Sequence, residues 1–316
     1  MTEVTIPCPV CSNQSDYAAP APGWGQWRKC TVCELEFVDP MHLTESPVTI
    51  YGGAYRGLRK ENVMEEFERR VTQREATMKQ PNLWFWTPAF GQIFDWLGKR
   101  LPNGGTVLEI GCGLGFVLHE LRSRGFDAVG LDVAELPVEV NRKDGFHVWH
   151  GPLSTMPEDW MGEPDAVIAF FMLHHLEDPS GLLAEIRRRW PNALLALAQY
   201  GPSNRDPERS APPRTLTRWS AKSLGAALER AGYSAATASI ASTGAERPVL
   251  RPLRSLLKRT VVIPGVFRLA RRIERRIVPK VMGRFAAKAY VVMALAEPAA
   301  TDQISRSRVS AASAAG

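Results

Sequence analysis

The sequence predicts an α/β fold: a largely parallel sheet covered by helices on both faces, with a small metal-binding module at the N-terminus. Three observations carry this. Short apolar runs alternate with helical patterns from residue 105 onward, which is the signature of βαβ units. A glycine-rich turn, Gly111 to Gly115, follows the first of these runs and opens a helix. Four of the five cysteines, Cys8, Cys11, Cys30 and Cys33, form two C-x-x-C pairs within the first 33 residues.

Taken in chain order, residues 1–40 are turn-rich and hold both cysteine pairs, so they read as a zinc-ribbon module. Four thiolates on two tight turns hold zinc tetrahedrally, and the metal adds folding energy to a segment too small for its own core. A site closed by four cysteines has no open coordination position, which makes it structural rather than catalytic. Only Arg28 and Lys29 are basic between residues 8 and 33, which disfavours a nucleic-acid role for the ribbon. Residues 41–100 read as a helical lid or linker. A charged helix runs from Glu61 to Lys79, and Pro81 ends it. Phe90, Phe94 and Leu97 then recur at helical spacing. Tyr51, Tyr55, Trp84 and Trp86 either form a lid over a ligand or fill the core between these helices.

Residues 101–246 form the expected core. Thr106 to Ile110 is the first strand, Phe116 to Arg124 a helix, and Asp127 to Asp132 the second strand. Asp165 to Phe171 and Ala193 to Ala198 are further strands, with a helix from Pro179 to Arg189 between them. Leu224 to Ala231 is a helix stopped by Gly232. Ser234 to Ile240 and the segment 289–298 supply the last two strands, and 299–316 is small, polar and disordered in expectation.

Between those last strands lies 247–288, with 13 Lys/Arg and one acid, Glu274. That segment carries +12 of a net +6, so the remainder sums to −6. A mildly acidic body does not wrap nucleic acid over its whole surface. Leucines interleave with Arg251, Arg254, Lys258 and Arg259, giving basic amphipathic helices. Such a helical insertion can lie on an anionic membrane surface, contact an anionic substrate or RNA, or simply cap the last strands. No apolar run reaches the 18 residues of a membrane span, and the first residues lack a secretory signal pattern. The expected location is cytoplasmic, with peripheral contact at the inner face of the membrane through 247–288.

The glycine turn reads Glu109-Ile-Gly111-Cys112-Gly113-Leu-Gly115. A dinucleotide loop would need glycine where Phe116 stands, and the Gly-Lys-Ser/Thr of a phosphate loop is absent. An acid before the first glycine repels pyrophosphate but can face an ammonium. Asp132 ends the second strand 21 residues after Gly111, where a carboxylate can accept both hydroxyls of a ribose. The plain alternative is a tight strand–helix turn with no ligand.

At these residues the chain resembles the class I S-adenosylmethionine (SAM)-dependent methyltransferases. Val107 to Gly115 matches their first motif, Gly130 to Asp132 their second, and Phe171 to Pro179 the stretch after their fourth strand. Pro212 to Ser220 and Ala231 to Tyr233 resemble a late stretch of a bacterial subgroup that also carries the four-cysteine ribbon and a Tyr-rich segment like Tyr51 to Tyr55. The resemblance implies a seven-stranded Rossmann-like sheet. It implies SAM held by Glu109, Gly111, Cys112, Gly113, Gly115, Asp132 and Val133, with Leu153 packed on the adenine. Pro152 stands where the family commonly has an acid, which leaves the adenine to backbone contacts.

His174 and His175 fall at the carboxyl edge of the sheet and are the candidate bases for a hydroxyl acceptor; the alternative is that they pack structurally. Thr215 replaces a histidine found in relatives, and Arg214 and Trp219 either line the acceptor pocket or anchor a loop. Cys112 is expected to fill a small space against the sheet. The implied activity is methyl transfer to a small-molecule, glycan or lipid-linked hydroxyl. An RNA methyltransferase ranks below it, since no Asn-Pro-Pro-Tyr-type motif follows the fourth strand. A non-catalytic SAM-binding protein is the third reading.

Overall fold

The computed structural model describes residues 6–43, 63–78, 88–201, 211–241 and 290–299. Tyr51, Tyr55, Trp84, Trp86, the basic segment 247–288 and the C-terminal tail lie outside these residues. Among the described residues no helix is long and apolar enough to cross a membrane.

Two sheets form. The first takes β1 (Ile6–Pro7), β2 (Gln14–Ala21), β3 (Gly25–Cys30) and β4 (Glu36–Asp39) as antiparallel neighbours. Its fifth strand, β10 (Thr217–Arg218), arrives from far along the chain and pairs with β4. The second sheet has seven strands in the order β11-β12-β9-β8-β5-β6-β7. These are β5 (Thr106–Ile110), β6 (Asp127–Asp132), β7 (His147–His150), β8 (Ala166–Phe170), β9 (Leu194–Tyr200), β11 (Tyr233–Ala241) and β12 (Tyr290–Pro298). All pairings are parallel except those of β12, which runs against both β9 and β11. This order with one reversed strand is the class I methyltransferase fold. The strand order turns back at β5, which has β6 on one side and β8 on the other, and ligands of open α/β sheets sit beyond the carboxyl ends at such a point.

The alternation of side chains along each strand builds two cores. Val107, Ala128, Ile168 and Ala198 face one side, under Phe90, Phe94 and Leu97 of α2 (Pro88–Arg100) and Leu118 and Leu121 of α3 (Phe116–Ser123). Leu108, Leu131, Val167 and Leu197 face the other, under Leu183 and Ile186 of α5 (Pro179–Arg189) and Leu224 and Leu228 of α6 (Ala221–Arg230). Each such buried aliphatic or aromatic side chain contributes about 1.5–3 kcal/mol. Cys8, Cys30, Cys33, Leu35 and Phe37 belong to this second core, so the ribbon shares its interior with the α5–α6 face of the sheet.

Local sequence fixes the helix starts. Asp178 accepts the Gly181 amide at 2.7 Å, with Pro179 in the first turn of α5. Ser220 and Ser223 form a reciprocal capping box at α6. The helix read over 61–79 is α1 (Val63–Met78), and α4 (Glu135–Lys143) follows β6.

Candidate functional site

The turn after β5 is shaped by three glycines with positive φ: +78° at Gly111, +49° at Gly113 and +73° at Gly115. Gly115 leaves no room for anything larger. A Cβ there would stand 1.9 Å from Asn141 Oδ1. Asn141, fully buried on α4, donates to the Gly113 carbonyl at 2.7 Å and holds the turn from beneath. Gly115 is the N-cap of α3 and, having no side chain, offers no side-chain cap. Cys112 is buried, and a Cβ at Gly130 of β6 would lie 2.9 Å from its Sγ. It fills the small space against the sheet that the sequence suggests.

Asp132 closes the loop from β6. One carboxylate oxygen accepts the Gly113 amide at 2.7 Å and the other the Ala134 amide at 2.9 Å. Val133 follows it, half-buried. Glu109 is 3% exposed, and its Oε2 has no hydrogen-bond partner. Burial pushes its carboxyl well above the usual carboxylate range, and the Asp132 charge adds to that. Leu153 is buried in the short turn after β7. The Trp149 Nε1 beside it is likewise buried without a partner.

Helix α1 covers this loop. Phe67 packs with Leu114 and Ala134. Arg74 donates to the Leu114 carbonyl at 3.0 Å and pairs with Asp144 at 2.8 Å, and His119 holds the same Asp144 oxygen at 2.9 Å. The sequence reading gave α1 its length but no role for Arg74, which sits among other arginines in a charged helix and carries no distinguishing signal.

At the ends of β8 and β9 the two histidines stand together, ring centroids 3.9 Å apart. They differ in environment. His174 is buried, its Nδ1 3.0 Å from Gln199 Oε1, and desolvation lowers its pKa to about 4. His175 is half-buried, and its Nδ1 meets the Arg214 carbonyl. A carbonyl only accepts, so that bond places a proton on Nδ1, and in the neutral ring the lone pair is then on Nε2. Phe171, just before them, has φ +55°, a strained conformation for an aromatic residue, and stacks on Tyr200 with centroids 4.1 Å apart. Trp219 is fully buried and donates to Thr217 Oγ1 at 2.9 Å, so it anchors its loop rather than lining an open pocket.

Comparison with known proteins bears on this carboxyl edge. Residues 85–238 match a family model described as a methyltransferase domain. The chain carries a methyltransferase domain. Ubiquinone biosynthesis O-methyltransferase of Pseudomonas paraeruginosa is 31% identical over 101 residues, covering 30% of this chain and 44% of that protein. The enzyme of the same name from Acinetobacter baumannii strain AYE is 26% identical over 98 residues, 28% of this chain and 41% of that one. The chain thus spans less than half the length of these curated relatives. Among solved structures, a Haloferax volcanii methyltransferase complex with the Trm112 activator aligns at 20% identity over 75% of this chain and 97% of its own, TM-score 0.49. The Burkholderia thailandensis 1,6-didemethyltoxoflavin-N1-methyltransferase aligns at 15% over 89% and 100%, TM-score 0.45.

Beside the methyltransferase domain, the four ribbon cysteines converge. Their sulfurs all lie within 4.8 Å of one another. Cys8 and Cys33 are 3.6 Å apart, and Cys11 and Cys30 are 3.4 Å apart. Both distances are far too long for disulfides. Sulfurs bound tetrahedrally at 2.3 Å from zinc are about 3.8 Å apart, so the donor set fits that ion. Cys8 and Cys33 share a hydrogen bond, which holds the Cys8 thiol down and pushes the Cys33 thiol up, so the two titrate as a pair. Cys112, the fifth cysteine, lies outside this group.

Proposed function

We propose that the protein is a SAM-dependent methyltransferase that methylates a hydroxyl of a small-molecule, sugar or lipid-linked acceptor, and that the four cysteines hold a structural zinc ion. The observation that carries the reading is the glycine loop at the β5 switch point, with the orphaned, buried Oε2 of Glu109 at its root and a methyltransferase-domain match around it. A buried carboxylate without a partner is costly unless a ligand supplies one. The ammonium of SAM is such a group, and Glu109 would hold it. Gly111, Cys112, Gly113 and Gly115 would offer backbone alone, Asp132 and Val133 would border the ribose, and Leu153 the adenine. The Pro152 turn would leave the adenine to backbone contacts.

SAM, when bound, supplies a methyl group already activated on a sulfonium. The chain's own task is therefore to orient the acceptor, exclude water and take one proton. His175 suits the proton transfer. The Arg214 carbonyl fixes its tautomer, so Nε2 presents the lone pair at the carboxyl edge. His174 does not, because burial keeps its basicity far below that of an ordinary imidazole. It is itself held by Gln199 and packs its ring against that of His175. The name of the matched relatives, an O-methyltransferase, supports oxygen as the methylated atom.

The test uses SAM labelled in its methyl group with panels of phenols, glycans and polyprenyl-linked sugars. Labelled product and S-adenosylhomocysteine in equal amounts are expected. His175→Gln should lower kcat on the order of 10²–10⁴-fold with SAM affinity unchanged. SAM binding with no transfer to any class would leave a SAM-binding protein and overturn the proposal.

A further inference from the structure

The ribbon and the histidine edge are joined by one short piece of chain, residues 214–218. On its outer side, β10 pairs with β4, Thr217 opposite Phe37 and Arg218 opposite Glu36. The Val38 amide donates to the Leu216 carbonyl at 3.0 Å. On its inner side, the Leu216 amide donates to the His174 carbonyl at 2.7 Å, and the Arg214 carbonyl receives the His175 Nδ1–H. Leu216 therefore spends its carbonyl on the ribbon and its amide on the histidine turn, and its side chain is fully buried.

The clasp is reinforced on both flanks. Arg218 lies over the Trp27 ring at 3.7 Å and reaches Glu36 at 3.4 Å. Ser220 Oγ donates to the Cys33 carbonyl at 3.4 Å, and Ser180 Oγ to the Pro9 carbonyl, between two cysteines, at 3.1 Å. The ribbon cysteines share a core with Trp219, Leu183 and Leu224, and the Leu43 amide after β4 meets Glu177, two residues beyond His175.

We propose that the ribbon is the positioning element for His175: the metal-bound cysteines set β4, β4 sets residues 214–218, and these set the tautomer and orientation of the His175 ring. This rests on the reading of His175 as the base at the acceptor edge. The glycine loop is held elsewhere, by β6 and α4: the Gly111 and Cys112 amides donate to the Leu131 carbonyl, the Gly113 amide to Asp132, and Asn141 to the Gly113 carbonyl. A purely structural ribbon would change stability everywhere alike. A positioning ribbon changes His175 first and spares SAM.

The experiment uses the full chain, zinc-loaded, with ¹⁵N-labelled histidine rings, the His175 signals assigned by their loss in His175→Gln. Three samples are compared: wild type, wild type stripped with a zinc chelator, and zinc-loaded Arg218→Ala, which loosens β10 on β4 without touching a cysteine or a histidine. SAM affinity is measured on each by calorimetry. The wild type is expected to show a neutral His175 with its proton on Nδ1. In both perturbed samples that signal moves toward the tautomer mixture of an unconstrained imidazole, while SAM affinity changes less than about twofold, roughly 0.4 kcal/mol. Unchanged His175 signals in both perturbed samples would overturn the proposal. So would loss of SAM binding in step with His175, which would make the ribbon a general stabiliser. Failure of the functional reading looks different, as wild-type protein with a fixed His175 tautomer but no SAM binding or methyl transfer.

Discussion

Replacing Gly115 with alanine separates backbone strain from steric conflict at the glycine loop. The residue has φ +73°, which costs an alanine about 1–2 kcal/mol. Its new methyl would also stand 1.9 Å from Asn141 Oδ1 and 2.9 Å from Asn141 Cγ. Either the loop shifts, an overpacking cost of about 1–3 kcal/mol, or Asn141 swings away and gives up its bond to the Gly113 carbonyl at a similar cost. The total is about 2–5 kcal/mol. Gly145→Ala is the control, with φ +77° and nothing within 4 Å of its would-be Cβ, so it should lose only the backbone part. Thermal melts of both variants should therefore differ by about 1–3 kcal/mol, at about 2–4 °C per kcal/mol for a chain region of this size. SAM affinity should fall at least about tenfold, or about 1.4 kcal/mol, in Gly115→Ala and stay unchanged in Gly145→Ala. Equal melting and equal SAM binding in the two variants would refute the reasoning.

Three other outcomes follow from the same geometry. His174 has a folded pKa of about 4, below the ordinary 6.5, so between those values the unfolded chain binds more protons. Stability should be lost as pH falls through that window, by about 3 kcal/mol, and a His174→Asn variant should flatten this part of a stability–pH curve measured by denaturant titration. Arg74→Met should cost about 1–3 kcal/mol and raise amide exchange selectively in 63–78, because the Leu114 carbonyl and Asp144 lose their grip on α1; unchanged exchange there would contradict that role. Cys33→Ser should abolish the one-to-one zinc content read by elemental analysis and lower the melting temperature, whereas Cys112→Ser should leave the zinc content at one.

The sequence exposes those parts of the fold whose signals are local. Thr106 to Ile110 and Asp127 to Asp132 are apolar runs bounded by glycine or a turn, and β5 and β6 span these same residues. The cysteine cluster is legible because metal chemistry constrains both spacing and residue type. The four-residue β7 was not read as a strand, since His147 and His150 flank one buried valine, Val148, and blur the alternation. Strand β10 had no readable signal either. Two residues become a strand there only because β4, about 180 positions earlier, lies beside them, as the Arg218–Glu36 separation of 182 shows.

The expected site residues come together in two groups: the loop with Glu109, Asp132 and Leu153, and the turn with His174 and His175. What sequence could not distinguish is which histidine is buried. The two are adjacent, and only Gln199 and the Arg214 carbonyl, 25 and 39 residues away, set them apart.

The most direct test of the account is calorimetric titration of the zinc-loaded full chain with SAM, beside Asp132→Asn and Glu109→Gln. The account predicts one site per chain, with affinity lowered at least about tenfold in each variant while their folded content stays intact by circular dichroism. No binding by the wild type, or equal binding by all three proteins, would contradict it.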